Sequence, residues 1–588
     1  MDFRSQTIYY VVVDRFNTNK KPSDIDALDI SWNDYWGGTI QGITDKLDYL
    51  QSLGITTLML TPIFEIIKDL PDYENRGSEK YFGYWPADFK KLQPELLRDK
   101  SNTFAENNKE LSELIAGLHQ RKMTLVINVV CNFSGVHVDQ TKNPIAIYNE
   151  GKKLTSFDED VINWYHLYDD GRNDWQNIWQ IENQSQTGLA VFNEYIFTYR
   201  KFLKSNFEFW LNHGVDGFHF DNVKNMPIWF WQELVSDLTA LKPNIFLSGD
   251  WHKGGSYNDA SAIFSNTTNI SIFDYSLHKA IEKCFLKNDP AGFYIIEDVF
   301  KRDGKFKSST ELLTFVDINS LPRFLSLGGS IEKMELAIIL LLTCRGIPII
   351  FYGTEQYLYN DMNSGHDPYN RPMMSSWDET TSLFKTINKL AKLRRSNQAI
   401  QKGYRITRYI TDNIFVFIRK YNDDYCVVAL NKGFEKTFNI AGIDLPDGTY
   451  INELNVTKRI NVENNKIIHL HLEENEAVVI SSTPTKQHQS TVVAFQLNGY
   501  DTHFGEVVKI IGNIPELGNW DINKAPTLQY INPSTWRGDI EITNSAGQIV
   551  YYKYVAVDVN NFIKYEQRMP RQRVLPIHGY TVWKNEWK

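Results

Sequence analysis

The sequence has few cysteines and lacks long apolar runs. Its cysteines, Cys131, Cys284, Cys344 and Cys426, are scattered along 588 residues without metal-type or redox-type spacing. We therefore expect no disulfide framework, and we expect each cysteine to be a small buried residue. No segment supplies the ~20 consecutive apolar residues that a membrane helix needs, so an integral membrane protein is not expected.

The sequence also has fewer basic than acidic residues. Lys and Arg number 62 against 71 Asp and Glu, which gives a formal net charge of −9. Nucleic-acid binding needs a concentrated basic face, so a neutral ligand fits this composition better. The opening residues, MDFRSQTIYYVVVDRF, contain no basic segment followed by an apolar one. We expect a cytoplasmic protein on that ground, while non-classical export and a trimmed secreted chain stay open.

Aromatic residues, by contrast, are plentiful. They make up 14% of the chain, with 15 Trp and 31 Tyr. Flat rings stack on sugar faces, although a large core also contains many of them. The length itself is too great for one ordinary core and indicates several domains.

Short apolar runs alternate with longer helical patterns through the first two thirds of the chain. The strand candidates are 8–13, 56–60, 125–130, 217–220, 245–247, 313–316 and 348–351. The helix candidates are 43–53, 107–121, 195–213, 228–241 and 331–343. Repeated strand–helix units predict a (β/α)8 TIM barrel, and a doubly wound open sheet is the alternative.

The alternation lapses twice, which predicts a multidomain chain. A polar, aromatic-rich stretch indicates a small inserted domain after the third strand. Later, short alternating runs with Asn-Asp and Asp-Gly turns indicate an all-β domain, a polar linker and a second all-β domain. The predicted parts are barrel 1–132, insertion 133–188, barrel 189–395, all-β domain 396–482, linker 483–489 and final domain 490–588.

Ordered motifs accompany these elements. GVDGFHFDNVKNMP at 214–227 places Asp221 at the carboxyl end of a strand, where barrel enzymes carry their chemistry. The others are IYYVVVDRF near the start, YFGYWPADF at 81–89, FLSGDW at 246–251, FVDINSLPRF at 315–324 and RGIPIIFYGTEQ at 345–356. In order and spacing the chain resembles the α-amylase family, glycoside hydrolase family 13, and most closely its cyclodextrin glucanotransferase branch.

The resemblance implies sugar-binding residues in the barrel. GHDPYNRPMM at 365–374 resembles the donor-side sugar-binding loop, so Asp367 and Arg371 would contact substrate. The alternative is that these two are ordinary surface charges. Tyr84 matches the stacking ring at the cleavage subsite.

The final domain resembles carbohydrate-binding module family 20, a β-sandwich that binds starch, through IIGNIPELGNW at 510–520 and IVYYKYVAVD at 549–558. By that resemblance Trp520 and Tyr565 form one ring platform beside Lys553. The alternative is that these rings belong to the core. Tyr565 stands where the family usually has Trp, which should weaken stacking.

A second ring platform in the final domain is implied by the same resemblance. It would consist of Phe504 and Tyr530, and the core alternative applies to these rings as well. Trp536 we assign to the core.

The catalytic motifs depart from the family pattern. A retaining glycosidase needs a nucleophilic carboxylate and a protonated acid ~5–5.5 Å apart. Asp221 matches the nucleophile, but Asp250 replaces the family's Glu and would fall ~1.5 Å short of the scissile bond. Ser320 replaces the third carboxylate, which normally helps to keep the acid protonated.

Four further positions are degenerate. His219 replaces the Arg that would hold the nucleophile ionised, and imidazole cannot supply the same fork of donors. The others are Asn128 in place of Asp, Phe133 in place of the transition-state His, and Asn319 in place of the His beside Ser320.

The family's calcium site is also altered. Asn132 matches one ligand, but Val191 replaces an aspartate ligand and removes a hard oxygen. We therefore expect no metal and no cofactor.

Three hypotheses follow. The first is an α-amylase-family pseudoenzyme that binds starch, glycogen or maltooligosaccharides. The second is an active retaining hydrolase or transglycosylase that uses Asp221 as nucleophile and Asp250 as acid/base. The third is a scaffold whose barrel binds another protein, for which the sequence offers no support.

Overall fold

The structure is a computed structural model that describes the chain except residues 1, 19–30, 68–79, 137–144, 167–173, 175–176, 185–188, 252–258, 287–290, 423, 482–490, 544, 546–547 and 577–578. It divides into two compact units, Met1–Ser481 and Ser482–Lys588. The predicted linker 483–489 lies outside the described residues.

The first unit is built on an eight-stranded parallel sheet. Its strands are β1 (Ile8–Val11), β2 (Thr57–Leu60), β3 (Thr124–Val130), β4 (Gly217–Asp221), β5 (Phe246–Gly249), β6 (Ser271–Ile272), β7 (Leu313–Phe315) and β8 (Ile347–Phe351). They pair in the order β6-β5-β4-β3-β2-β1-β8-β7. A parallel bridge between Phe273 and Leu313 joins the two ends, so the sheet closes into a barrel.

Helices connect these strands and cover the barrel. They are α1 (Val13–Phe16), α2 (Ile40–Thr44), α3 (Leu47–Leu53), α4 (Lys109–Gln120), α5 (Ile178–Asn183), α6 (Phe197–Asn212), α7 (Ile228–Leu241), α8 (Asp259–Thr268), α9 (Tyr275–Phe285), α10 (Tyr294–Phe300), α11 (Ile331–Thr343), α12 (Ser382–Ser396) and α13 (Gln398–Lys402). Because helices cover one face of the sheet and side chains fill the other, strands such as β3 are buried along their whole length.

The predicted (β/α)8 barrel is confirmed, and the open-sheet alternative is wrong because the sheet closes. The sequence pattern missed β6, which is only two residues long and too short to show a period of two. The predicted first strand ends early, since α1 begins at Val13.

The region after β3 forms a sheet together with the segment that leaves the barrel after β2. Strands Phe64–Ile66 and Pro86–Leu92 pair with Ala146–Asn149 and Lys152–Ser156 in a four-stranded sheet. The described part of the predicted insertion is therefore tied to the segment that carries Tyr84.

An all-β region ends the first unit. Its strands are β9 (Tyr404–Ile410), β10 (Ile414–Tyr421), β11 (Asp424–Asn431), β12 (Lys436–Ala441), β13 (Gly448–Ile451), β14 (Arg459–Glu463), β15 (Lys466–Leu472) and β16 (Ala477–Ser481). They form two sheets, β9-β10-β11-β16 and β12-β15-β14-β13, around a shared apolar core.

The second unit is the predicted β-sandwich. Its strands are β17 (Thr491–Asn498), β18 (Val507–Gly512), β19 (Gln529–Asn532), β20 (Thr535–Ile542), β21 (Ile549–Val557), β22 (Ile563–Tyr565), β23 (Arg571–Val574) and β24 (Gly579–Glu586). One sheet has the order β19-β20-β17-β24, and in the other β21 pairs with β18, β22 and β23. A buried core lies between the sheets, and Trp536 belongs to it as predicted.

All four cysteines are buried free thiols. Within the described part of the chain, no helix is both long and apolar enough to cross a membrane.

Candidate functional site

A cavity opens at the carboxyl ends of the barrel strands, the face on which barrel enzymes carry their active sites. Its volume of about 180 Å³ is below the ~300–1,000 Å³ of typical small-molecule sites. The lining residues are Tyr10, Phe82, Tyr84, Asn128, His219, Asp221, Asp250, Phe273, Asn319 and Ser320. The barrel thus brings together most of the predicted catalytic and degenerate positions.

The candidate nucleophile has no positive partner at position 219. His219 is buried, its ring stacks on Phe273 with 4.5 Å between centroids, and its Nδ1 lies 2.9 Å from the hydroxyl of Ser248. Burial lowers the pKa of the His219 imidazole to about 3, so the ring is neutral at physiological pH.

The pKa of the Asp221 carboxyl reflects this environment. Burial, reinforced by the charge of Asp250, raises the pKa of the Asp221 carboxyl well above its usual range. The side-chain amide of Asn222 donates a hydrogen bond to the carboxylate, which opposes the shift only in part. A raised pKa favours the protonated carboxyl, which is a poorer nucleophile than the carboxylate.

Asp250, at the predicted acid position, is held by a phenol. The hydroxyl of Tyr275 donates to Asp250 Oδ1 at 2.8 Å. Burial raises the pKa of the Asp250 carboxyl to about 7, and the bond from Tyr275 opposes that rise. Burial, reinforced by the charge of Asp250, raises the pKa of the Tyr275 phenol well above its usual range, and a weaker contribution from Ser320 opposes that rise.

Tyr84 is tied into a neutral network at the floor of the cavity. Its hydroxyl lies 3.1 Å from the hydroxyl of Tyr10 and accepts hydrogen bonds from Asn128 Nδ2 at 2.8 Å and Asn319 Nδ2 at 3.1 Å. Two degenerate positions, 128 and 319, therefore serve to fix this ring.

Asn128 and His219 also replace a pair of charges. They are register partners on β3 and β4, and Asn128 Nδ2 additionally donates to Tyr10 at 3.1 Å. With an amide and a neutral imidazole at these positions, neither side is left as an unpaired buried charge. The two substitutions are physically consistent with each other.

The predicted donor-side pair divides into a buried and an exposed member. Arg371 is completely buried, donates to Tyr81 Oη at 2.9 Å and to the Asn319 carbonyl at 3.0 Å, and forms an ion pair with Asp367. In this structure Arg371 therefore positions the loop instead of contacting sugar directly. Asp367, whose side chain is 53% exposed, is the member that a ligand can reach.

In the sandwich unit, the strand register places two residues of the first predicted platform, Lys553 and Tyr565, on one sheet face. Lys553 on β21 is the partner of Ile511, and Val555, two residues on, is the partner of Tyr565. Lys553 and Tyr565 thus share the outer face, where the Lys553 amine donates to the Glu566 carbonyl at 3.4 Å.

The Trp520 ring is half exposed on a short turn that follows β18. Its backbone φ is 67°, in the left-handed region that a non-glycine residue rarely adopts. Such a conformation persists only where the surrounding structure holds the residue in place.

The second predicted platform is also at the surface. Phe504 is fully exposed in the loop between β17 and β18, and Tyr530 on β19 is 55% exposed while its ring packs edge-on against Trp536. For these rings, as for Trp520 and Tyr565, the core alternative does not hold.

Comparison with known proteins agrees with this architecture. Residues 10–377 match the family model described as "Alpha amylase, catalytic domain". The chain belongs to the α-amylase family. Residues 490–582 match the model of a starch binding domain.

Relatives identify the branch of the α-amylase family. A cyclomaltodextrin glucanotransferase of Klebsiella oxytoca is 30% identical over 92% of this chain and 88% of its own. An alpha-amylase of Niallia circulans is 30% identical over 77% of this chain and 85% of its own. The solved structure of CldA, described as a cyclomaltodextrin glucanotransferase with a three-domain ABC distribution, is 29% identical with a TM-score of 0.75, covering 81% of this chain and 99% of that one. The predicted cyclodextrin glucanotransferase-like branch is confirmed.

Phe133, at the α-amylase family's transition-state histidine position, has become a packing residue. It is buried on strand Phe133–Val136, where it pairs with Val191, and it packs with Val130, Leu189 and Tyr84. It belongs to an apolar cluster against which Tyr84 packs, and it is not among the residues that line the cavity.

The calcium site of the α-amylase family is not matched by the residues present. Asn132 is buried, and its amide oxygen has no hydrogen-bond partner, which is one possible ligand. Val191, however, contributes an apolar side chain where calcium would need oxygen, and calcium takes ~6–8 oxygen ligands. Among the described residues, the cluster of His and acidic groups is Glu435, His471 and Glu473, on the all-β region. The described residues around Asn132 do not fit the ion.

Sequence reasoning missed several residues of the site. Ser248 could have been found, because it lies two residues before Asp250 and so points to the same side of β5. Tyr275 and Phe273 follow β6, the strand that gave no signal, and Tyr10 and Phe82 lie within two of the quoted motifs but were not singled out there.

Proposed function

We propose that this protein binds α-glucans of the starch, glycogen or maltooligosaccharide type, and that the glycosidase activity of its family is lost or strongly reduced. The observation that carries the proposal is the environment of Asp221. Its partner at position 219 is a neutral, buried imidazole bonded to Ser248, so nothing at that position holds the carboxylate ionised.

The retaining mechanism needs two carboxyl groups in different protonation states, one anionic and one protonated. Here burial raises the pKa of both Asp221 and Asp250. Both shifts favour the protonated acid and oppose the anionic nucleophile. Loss of one preorganised electrostatic contact commonly costs ~10²–10³ in rate, and several contacts are changed together.

Binding rests on other residues. Trp520 and Tyr565 offer two exposed rings, and Lys553 offers a hydrogen-bond donor on the same sheet face as Tyr565. Stacked rings with a few directed polar groups suffice for a neutral sugar. This unit corresponds to a domain described as starch binding. Its exposed rings and its donor do not depend on whether the barrel is catalytically active.

The test combines two measurements on the purified chain. Incubation with maltoheptaose or soluble starch at high protein concentration should yield no product, while calorimetry with maltoheptaose and co-sedimentation with amylose should show binding. Trp520→Ala should weaken that binding, and Phe434→Ala, at an exposed aromatic position of the all-β region, serves as the matched control. Absence of affinity for any of these glucans would refute the proposal.

One observation favours an active enzyme as a second candidate. The pKa of Asp250, at about 7, suits a general acid at neutral pH, and Tyr275 fixes its position. Asp221 would then act in the fraction of molecules in which it is ionised. Product formation that is abolished by Asp221→Asn would establish this candidate, and a silent wild-type protein would eliminate it.

A further inference from the structure

A cluster of exposed rings lies on the barrel unit outside the cavity. Tyr195 and Phe197 are 58% and 66% exposed, and Trp229 is partly exposed. The rings of Tyr195 and Trp229 are 5.2 Å apart at an angle of 51°. We call these three residues the rim cluster.

An arginine holds the rim cluster in place. The Arg200 guanidinium lies 5.8 Å from the ring of Phe197 and 5.4 Å from that of Trp229. Its Nη1 donates to the carbonyls of Glu194 and Tyr195 at 2.8 and 3.0 Å, and its Nε donates to Glu233 at 3.0 Å. Rings fixed in this way lose little conformational entropy when a ligand binds.

The position of the rim cluster follows from the fold. Phe197 begins α6 and Trp229 lies in the first turn of α7, and α7 follows β4, the strand that ends in Asp221. In a barrel of this type the helices run back along the strands, so helix N-termini lie on the face where the strands end. The rim cluster is therefore on the same face as the cavity.

The chemistry of the rim cluster suits a neutral ligand. Arg200 and Glu233 are paired, so they leave no net charge to attract an ion. What remains is apolar ring surface beside a partly exposed guanidinium and carboxylate, which supply hydrogen-bond donors and acceptors. A sugar chain presents the complementary surface, with apolar ring faces bordered by hydroxyl groups.

We propose that the rim cluster is a second α-glucan-binding site, located on the barrel and separate from both the cavity and the sandwich unit. The proposal rests on the proposed function, since it takes the same class of ligand. A chain bound here would lie on the face into which the cavity opens.

The test uses the full chain with the sandwich platforms disabled by Trp520→Ala and Tyr530→Ala. This background should retain measurable affinity for maltoheptaose by calorimetry. Adding Tyr195→Ala or Trp229→Ala should weaken the residual affinity by about three- to tenfold, the scale of one ring contact. Tyr404→Ala, an equally exposed tyrosine on β9, should leave it unchanged.

The outcomes separate the two proposals. If the wild-type chain binds glucan but the disabled background does not, or if the background binds and neither rim variant weakens it, the rim site is refuted while the proposed function stands. If the wild-type chain binds no glucan, the proposed function itself fails. Because Tyr195 is mostly exposed, its variant tests the site even if Trp229→Ala impairs folding.

Discussion

The imidazole Nδ1 of His219 lies 2.9 Å from the hydroxyl oxygen of Ser248, its register partner on the neighbouring barrel strand. The partner of the His219 imidazole in this bond is therefore an uncharged hydroxyl group. On its other side the register partner is Asn128, which is equally neutral. The floor of the site is thus a row of uncharged polar groups across three adjacent strands.

The first prediction concerns His219 and acid stability. Its folded-state pKa, about 3, lies below the ordinary histidine pKa of 6.5, so between these values the unfolded chain binds the proton and the folded chain does not. The contribution of His219 to the free energy of unfolding is therefore at its maximum above pH 6.5. It falls by ~1.4 kcal/mol per pH unit as the pH decreases towards 3. His219→Gln should remove this loss. Urea unfolding of the barrel unit at pH 5 and pH 7 would measure it, and an equal pH dependence in the two proteins would contradict it.

The second prediction concerns Asp250, for which the sign is opposite. Its folded-state pKa is raised from 3.8 to about 7, so in that range the folded chain holds the proton. The group's contribution to stability falls as the pH rises through this window and stays low above pH 7. Asp250→Asn should therefore be more stable than wild type at pH 8, by ~2–4 kcal/mol, and similar to it at pH 4.

Asp361→Asn is the matched control for this experiment, because Asp361 is an exposed aspartate of the same unit. It should show no comparable gain at pH 8. A gain of the same size in both variants would mean that general charge reduction, and not burial of Asp250, stabilises the protein.

The third prediction concerns restoration of chemistry. The triple variant Asp250→Glu, Ser320→Asp, His219→Arg returns a longer acid, a third carboxylate and a cation beside Asp221. Hydrolysis of maltoheptaose should rise at least ~10²-fold over the parent background, because Arg holds Asp221 ionised. The double variant without His219→Arg should stay silent.

Comparison of the double variant with the triple variant isolates the contribution of position 219. If the double variant were as active as the triple one, the neutral imidazole would not be the main obstacle. If all variants stayed silent, Phe133, Asn319 or the shape of the cavity would account for the loss.

The fourth prediction concerns the sandwich unit. Tyr565→Trp enlarges the ring that faces solvent and should strengthen maltoheptaose binding by about two- to fivefold, whereas Tyr565→Ala should weaken it by a similar factor. Titration calorimetry would measure both. Unchanged affinity in both variants would show that the face carrying Lys553 is not the binding face.

The sequence by itself determined the larger features of this protein. Strand–helix alternation indicated a barrel because helices and strands have different hydrophobic periods, and the ordered motifs fixed where Asp221, Asp250 and Ser320 lie along the chain. The replacement of charged residues at positions 128 and 219, by Asn128 and His219, could also be read from the sequence.

Only the tertiary structure decided what those residues do. Register between neighbouring strands, which no linear pattern encodes, brings Asn128, His219 and Ser248 into one row. Tyr275 reaches Asp250 only because a two-residue strand closes the barrel. Protonation of Asp221 and Asp250 depends on burial, and burial arises when distant segments pack together, so the electrostatic state of the site emerged only with the fold.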